Sequence, residues 1–408
     1  MVKVLVVGSG GREHALAWKL SQSGGLTELH AAPGNPGIAD LGDCHPVRAE
    51  DSEGLLGLAR ELEIDLVVVG PEVPLVAGIG DHLRHAGIAV FGPGRDAARI
   101  EGSKSFAKEV MDAAGVATTP RMSVARPPCV VKVDGLAAGK GAFVCRTQEE
   151  LDAALKAAEA FGQPIVIEEL VDAEEVSIFA LCDGARAVPL PAAQDYKRVG
   201  DSDTGPNTGG MGCYSPYPGV SEQVEDLVGR IHRPVIAELA RRGTRFVGVL
   251  YAGVFLTDDG PVVFEFNCRF GDPETQVILP RVEGDLLDAL TAAARGDVGG
   301  VELEETDQSA VTVVIAAKDY PAASDSGSPI DGVAAAEAGG ALVFHAGTAV
   351  RDGRLVTNGG RILNVTAVAG TIGEAREHAY AACDKISFAG AKYRRDIALS
   401  AADEQARV

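Results

Sequence analysis

Residues 2–8, Val2-Lys3-Val4-Leu5-Val6-Val7-Gly8, make an almost unbroken apolar run that stops in Gly8-Ser9-Gly10-Gly11 and passes into a helical spacing of Ala15, Leu16 and Leu20. A short strand that is apolar on both faces needs cover on both faces, which is the setting of a parallel sheet sandwiched by helices. The pattern recurs at Leu66-Val67-Val68-Val69, followed by Gly70-Pro71-Glu72, and at Ala89-Val90-Phe91 before Gly92-Pro93. A doubly wound α/β domain ending near residue 100 is therefore expected. Its Gly8–Gly11 turn opens a helix whose free N–H groups suit an anion. A dinucleotide site would also want an acidic residue at the end of the second strand. Here Leu29-His30-Ala31-Ala32 runs instead into Pro33-Gly34-Asn35-Pro36-Gly37. Another phosphate ligand fits the turn better, with a plain βα turn as the simpler alternative.

At 408 residues the chain has room for two to four domains. No apolar run approaches 18 residues, so no transmembrane helix is expected. The first residues are too short for a signal peptide before the Gly-rich turn. Seven cysteines stand singly, with no C-x-x-C, which suits a reducing cytoplasm and inert buried thiols. A net charge of −21 argues against general nucleic-acid binding. Any phosphate must then be held by local lysines, arginines and backbone N–H groups.

Four later stretches carry candidate chemistry. Ser103 is a plausible N-cap for a helix beginning at Lys104, whose ammonium either is solvated or reaches a phosphate. Cys129 to Val144 reads as strand, small-residue loop and strand, with Lys132 inside the first strand. A lysine among apolar neighbours calls for an anion nearby. Residues 135–141 offer N–H donors over a polyphosphate, although the spacing is not that of a P-loop. Gln194 to Gly212 is a long polar, Gly-rich loop of the kind that binds substrate. Finally Val262 to Phe270 reads as a strand on which Glu265, Asn267 and Arg269 share one face, with Phe264 and Phe266 on the other. Oxygen donors two residues apart, roughly 7 Å along the strand, suit Mg²⁺, and a guanidinium beyond them suits a phosphoryl or carboxylate group. A polar face on an edge strand is the alternative for this stretch taken alone. After about residue 305 the pattern changes to strands at 310–316, 341–347 and 361–367 and a helix at about 371–386, with Arg361 beside the turn Asn358-Gly359-Gly360.

The motifs V-G-S-G-G-R-E-H-A-L-A-W-K at 7–19, V-G-P-E-V-P-L-V at 69–76, V-D-G-L-A-A-G-K-G at 133–141, Q-D-Y-K-R-V-G-D-S-D-T-G-P-N-T-G-G-M-G at 194–212, E-F-N-C-R-F-G-D-P-E-T-Q at 265–276 and T-N-G-G-R at 357–361 occur in one order. Together they resemble the phosphoribosylamine–glycine ligase family of the ATP-grasp superfamily over residues 1–398. The resemblance implies a mixed α/β and α+β fold in three domains: an N-terminal α/β substrate domain at 1–101, a two-lobed ATP-grasp domain at 102–304 with a mobile lid at about 118–188, and a small α+β domain at 305–408. It implies ligation of glycine to 5-phosphoribosylamine through glycyl phosphate, with ATP as substrate and Mg²⁺ or Mn²⁺ as metal, in purine biosynthesis.

By that similarity Lys104 and Lys132 contact the phosphates under a loop that includes Gly139 and Gly141. Glu168 and Leu170 belong to the adenine hinge, Glu175 meets the ribose, and Glu265 and Asn267 hold the metal. Arg269, with Lys132, is catalytic. Gly11, Glu13, Glu72, Asp195, Asp272 and Arg361 are the implied substrate contacts. Two departures stand out. The segment 118–165 is short around Ala125-Arg126-Pro127-Pro128, and Val249 to Gly253 offers no acidic second metal ligand. The expected partners are small molecules, not nucleic acid or membrane, with a monomer as the working expectation. A nicotinamide dehydrogenase and a non-catalytic nucleotide-binding module are the rival readings.

Overall fold

The computed structural model describes residues 1–137 and 139–407. At its N-terminal end lie five parallel strands in the order 43–44, 26–33, 2–8, 66–69 and 89–91. Val4 to Val7 are fully buried, as the two-sided apolar run requires. Successive strands leave the central one in opposite directions, so the loops after Gly8 and Val69 flank the crevice where such sheets bind ligands.

The second sheet has eight antiparallel strands in the order 260–267, 247–257, 174–183, 187–195, 212–215, 309–316, 361–369 and 342–345. It passes without a break across residue 304, where a domain boundary was expected. The pairing of Gly212–Ser215 with Ala310–Val313 makes that join. The helix Leu286–Arg295 packs between this sheet and the N-terminal one, and its Leu286, Leu287, Ala289 and Leu290 share a core with Val4, Val6 and Phe179.

A third sheet of strands 142–145, 129–133 and 165–169 is covered by the helix Gln148–Glu159 and has a small core of its own, from Cys129, Val131, Val133, Cys145, Leu151, Ala154 and Ala158. Thr147 caps that helix through a capping box with Glu150. This sheet ends at Glu169, short of the 188 expected for a lid, because Glu174–Asp183 is an inner strand of the large sheet. The expected long loop at 194–212 is instead a two-stranded hairpin, Arg198–Gly200 against Thr204–Asn207. All seven cysteines are free.

Candidate active site

The strand Gly260–Asn267 lies at the edge of the large sheet, and it departs from strict alternation. Gly253 pairs with Glu265 while Val254 pairs with Val263, so Phe264 is the extra residue of a β-bulge. Val263 is buried, whereas Glu265 and Asn267 stay half-buried on the site side. The bulged carbonyl of Phe264 accepts from Lys132 Nζ at 2.9 Å, and the Phe264 ring lies 4.4 Å from Lys197 Nζ.

The strand stops at Asn267, so Arg269 is not on it as expected but in the bend that follows. Its guanidinium reaches Glu72 at 3.3 Å and Glu101 at 2.9 Å. Burial would lower the pKa of Arg269, but Glu101 and Glu72 raise it above its ordinary value. Glu101, which the sequence reading passed over, is buried and also accepts from the Cys268 N–H at 2.8 Å. With its amide turned to satisfy its surroundings, Asn267 donates to the same Glu101 carboxylate at 3.1 Å. One helix-end carboxylate thus orients both Asn267 and Arg269.

Lys132 has the anion its buried position called for, but that anion is Glu168, at 2.7 Å. Lys108, a second residue missed from sequence, grips the other oxygen of Glu168 at 3.0 Å, and Thr119 donates to the oxygen that Lys132 holds. The backbone of Glu168 pairs with Val130 on one side and Arg121 on the other. Only from Leu170 onward does the chain leave the lid sheet. Lys104 opens the helix Lys104–Ala114, and Asp134 from the lid loop accepts from Ser103 Oγ and the Ser105 N–H at that helix start. Gly139 sits at φ +74°, where a Cβ would lie 3.1 Å from the Thr208 carbonyl, so the loop tip approaches the hairpin stretch closely. Gly141 packs on Ala137 and Val133, and Ala138 lies outside the described residues.

Lys197 binds Glu175 at 2.7 Å and lies 4.0 Å from Glu265. Burial would raise the pKa of Glu265, yet Lys197, Lys104, Lys132 and Arg269 together hold it below the usual range. Glu265 thus lies in a basin of four cations inside a chain of net charge −21. Among the described residues no cluster of three or more His, Cys, Asp or Glu suits a metal. Glu265 and Asn267 nevertheless supply the oxygen donors a hard cation takes, and an ion of this kind completes its shell from substrate phosphates and water. Nearby, Asp195 is pushed up to about 6 by burial and then by the charges of Glu175 and Glu265, against the pull of Lys197, and Glu274 is pushed up to about 7 by burial and then by the charge of Asp195. Glu274 was also missed from sequence.

The implied substrate contacts gather where the three regions meet. An ideal Cβ on Gly11 would lie 2.2 Å from Asn364 Nδ2 and 2.7 Å from Gln276 Nε2, so a side chain there would have to push both amides aside. Glu13 turns back to accept from the Gly10 N–H and from Arg12 Nε, both at 2.6 Å, and is buried. It was expected to be a substrate contact, but its oxygens are engaged within the glycine turn, which it shapes. Glu72 starts a helix and meets Arg269. Arg361 binds Asp272 at 3.0 Å and the Asp272 carbonyl at 2.9 Å. The side-chain oxygens of Gln276 and Asn364 are buried without a partner, which marks this junction as a place for a donor-bearing ligand.

Family models for the phosphoribosylglycinamide synthetase N domain, ATP-grasp (A) domain and C domain match residues 2–101, 102–275 and 310–400. A phosphoribosylamine–glycine ligase of Rhizobium meliloti is 49% identical, covering 97% of this chain and 98% of its own. That of Streptomyces coelicolor is 48% identical, covering 98% and 100%. The crystal structure of the Thermotoga maritima phosphoribosylamine–glycine ligase superposes with a TM-score of 0.83 at 34% identity, covering 97% of this chain and all of that one. A biotin carboxylase domain from Hydrogenobacter thermophilus, at 18% identity and a TM-score of 0.70 over 96% and 91% of the two chains, shares the fold alone. Identity close to half over nearly the full length, with all three domain models in order, shows that this chain belongs to the phosphoribosylamine–glycine ligase family.

Proposed function

We propose that the chain, as an ATP-dependent ligase of glycine and 5-phosphoribosylamine in purine biosynthesis, works through glycyl phosphate, with the residue roles that follow. ATP binds between the lid sheet and the large sheet. Leu170 and the backbone beside Glu168 meet adenine, and Glu175 meets the ribose. Lys104 and Lys132 hold the phosphates beneath Gly139 and Gly141. Glu265 and Asn267 hold Mg²⁺ or Mn²⁺, which when bound neutralises phosphate charge. Arg269 steadies the γ-phosphoryl group as the glycine carboxylate attacks it and ADP leaves. The phosphoribosylamine nitrogen then attacks the acyl carbon, and phosphate departs with the oxygen that came from glycine. Gly11, Glu72, Asp195, Asp272 and Arg361 position the two substrates, and Glu13 holds the turn at Gly11. Catalysis is largely positioning and charge stabilisation, and a closed lid keeps water from the acyl phosphate.

The observation that carries this reading is the cation basin around Glu265, with Arg269 oriented by Glu101 at its rim. The test is an ADP-release assay with glycine labelled by ¹⁸O in its carboxylate and phosphoribosylamine generated in situ. ADP formation that needs both substrates, with label in the released phosphate, is the expected result. Unlabelled phosphate would overturn the acyl phosphate, and ADP release without either substrate would point to an ATPase.

The proposed setting is cytoplasmic, and the proposed state a monomer. No helix among the described residues is long and apolar enough to cross a membrane.

A further inference from the structure

Tyr196 stands between Asp195 and Lys197, and alternation turns it away from the side those two face. Lys197 faces Glu175 and Glu265, whereas Tyr196 faces the C-terminal segment 394–398. There its hydroxyl accepts from the Ala398 N–H at 2.9 Å and its ring lies 4.8 Å from the Arg394 guanidinium. Arg394 is 2% exposed. It holds Asp396 through two bonds at 2.8 and 2.7 Å, Asp203 at 2.7 Å and the Arg198 carbonyl at 3.0 Å. The neighbouring backbone completes the contact: Ser202 N–H donates to Asp396 at 2.8 Å, and Arg395 N–H to Asp201 at 2.7 Å.

Strain collects at the same contact. Ser202, Asp203 and Ala398 have φ of +54°, +52° and +59° without being glycine. Such conformations persist only where surrounding bonds impose them. Asp201, Ser202 and Asp203 form the turn of the hairpin that leaves Lys197. Both the turn and the residue before Lys197 are therefore fixed from the C-terminal domain.

We propose that Arg394 is a positioning residue: through Tyr196 and the 198–207 hairpin it sets Asp195 and Lys197 at the reacting centre, so that the C-terminal segment governs catalytic geometry. This rests on the substrate reading of Asp195 given above. Arg281 supplies the control. It is similarly buried, at 3%, and lies at the join of the same sheet, yet it binds Ser215, Gln308, Thr306 and Glu305, none of which is among the site residues described above.

The experiment compares Arg394→Met, Arg394→Lys, Tyr196→Phe and Arg281→Met for kcat, KM of each substrate and Tm. Displacing catalytic groups by about 1 Å costs roughly 100-fold, so Arg394→Met is expected to lose kcat on that scale. Arg394→Lys should recover part of it, and Arg281→Met should lose Tm with kcat nearly kept. Combined with Asp195→Asn, Arg394→Met should add little further loss in kcat/KM. Activity losses that simply follow Tm in all four variants would overturn the proposal. So would fully multiplicative effects in a double variant whose Asp195→Asn parent is itself impaired. A silent Asp195→Asn would instead overturn the substrate reading and the inference together. Should Arg394→Met not fold, the Lys and Tyr196→Phe variants carry the same comparison.

Discussion

At the residue scale, the site is a set of cations arranged by carboxylates that are distant in sequence. Arg269→Ala removes the guanidinium while leaving Glu265, Lys132 and Lys104 in place. We expect kcat to fall by about 100-fold or more, the usual cost of losing one group aimed at developing charge. ATP affinity, measured by calorimetry, should change only a few-fold, and an equal loss in both would remove Arg269 from the phosphoryl group. Glu265→Gln should shift the Mg²⁺ titration of activity to higher concentration; an unchanged titration would locate the metal elsewhere. Glu274 makes a pH prediction. Its folded pKa is raised, so the folded state holds a proton that the unfolded chain, near 4.3, has released. Its unfavourable effect is absent below about 4 and grows as pH rises through about 7. Glu274→Gln should therefore raise Tm at pH 8 and leave it nearly unchanged at pH 4; the reverse order would contradict the burial of that carboxyl. The pairing of Glu265 with Asn267 on one strand was legible in sequence because two-residue spacing is a local signal, whereas the same spacing misplaced Arg269 on that strand. Glu101, Lys108, Lys197 and Glu274 were not legible, since Glu101 lies 168 residues from Arg269 and only folding brings them together.

At the element scale, the lid sheet stands on a buried charge group. Glu168 pairs with both Lys108 and Lys132, one through each oxygen, and is nearly inaccessible. Removing one partner of a buried pair costs about 3–5 kcal/mol because the remaining charge is stranded. Glu168→Ala should lower protection by that order in hydrogen exchange within 129–133 and 165–169, before the large sheet loosens. Uniform loss across the molecule would show that the lid is not a separate unit. Two strands of the lid were readable in Cys129 to Val144 as apolar runs around a small-residue loop. The bulge at Phe264 was not, because nothing in Val-Val-Phe-Glu-Phe-Asn announces which residue its partner strand will skip. That skipped residue is what sends a carbonyl to Lys132.

At the scale of the whole molecule, the N-terminal and C-terminal domains meet through buried histidines. His14 Nδ1 accepts from the His345 N–H at 2.8 Å, and Asn35 donates to the His345 carbonyl at 2.8 Å. Burial lowers His14 to about 3 and His345 to about 4. The unfolded chain protonates histidine near 6.5, so the stability from keeping both neutral is complete above that pH. It is lost as pH falls toward 4. His345→Gln should flatten this acid limb of Tm against pH; an unaltered slope would place the sensitivity elsewhere. The α/β order of the first domain was legible because parallel strands write themselves as apolar runs. The eight-stranded sheet was not, since antiparallel pairing between Gly212–Ser215 and Ala310–Val313 joins segments about a hundred residues apart.

That join also bears on how the gene can be cut. A fragment ending at residue 304 would leave the strand Gly212–Ser215 as a raw edge, and one starting at 305 would bare Ser309–Ala316, which is buried along its whole length. Unpaired apolar edges recruit other chains. Either half made alone is a seed for inclusion bodies, whereas co-expressed halves can reassemble by closing the same seam. The chain is divisible in synthesis, then, only if its two parts find each other before they find copies of themselves.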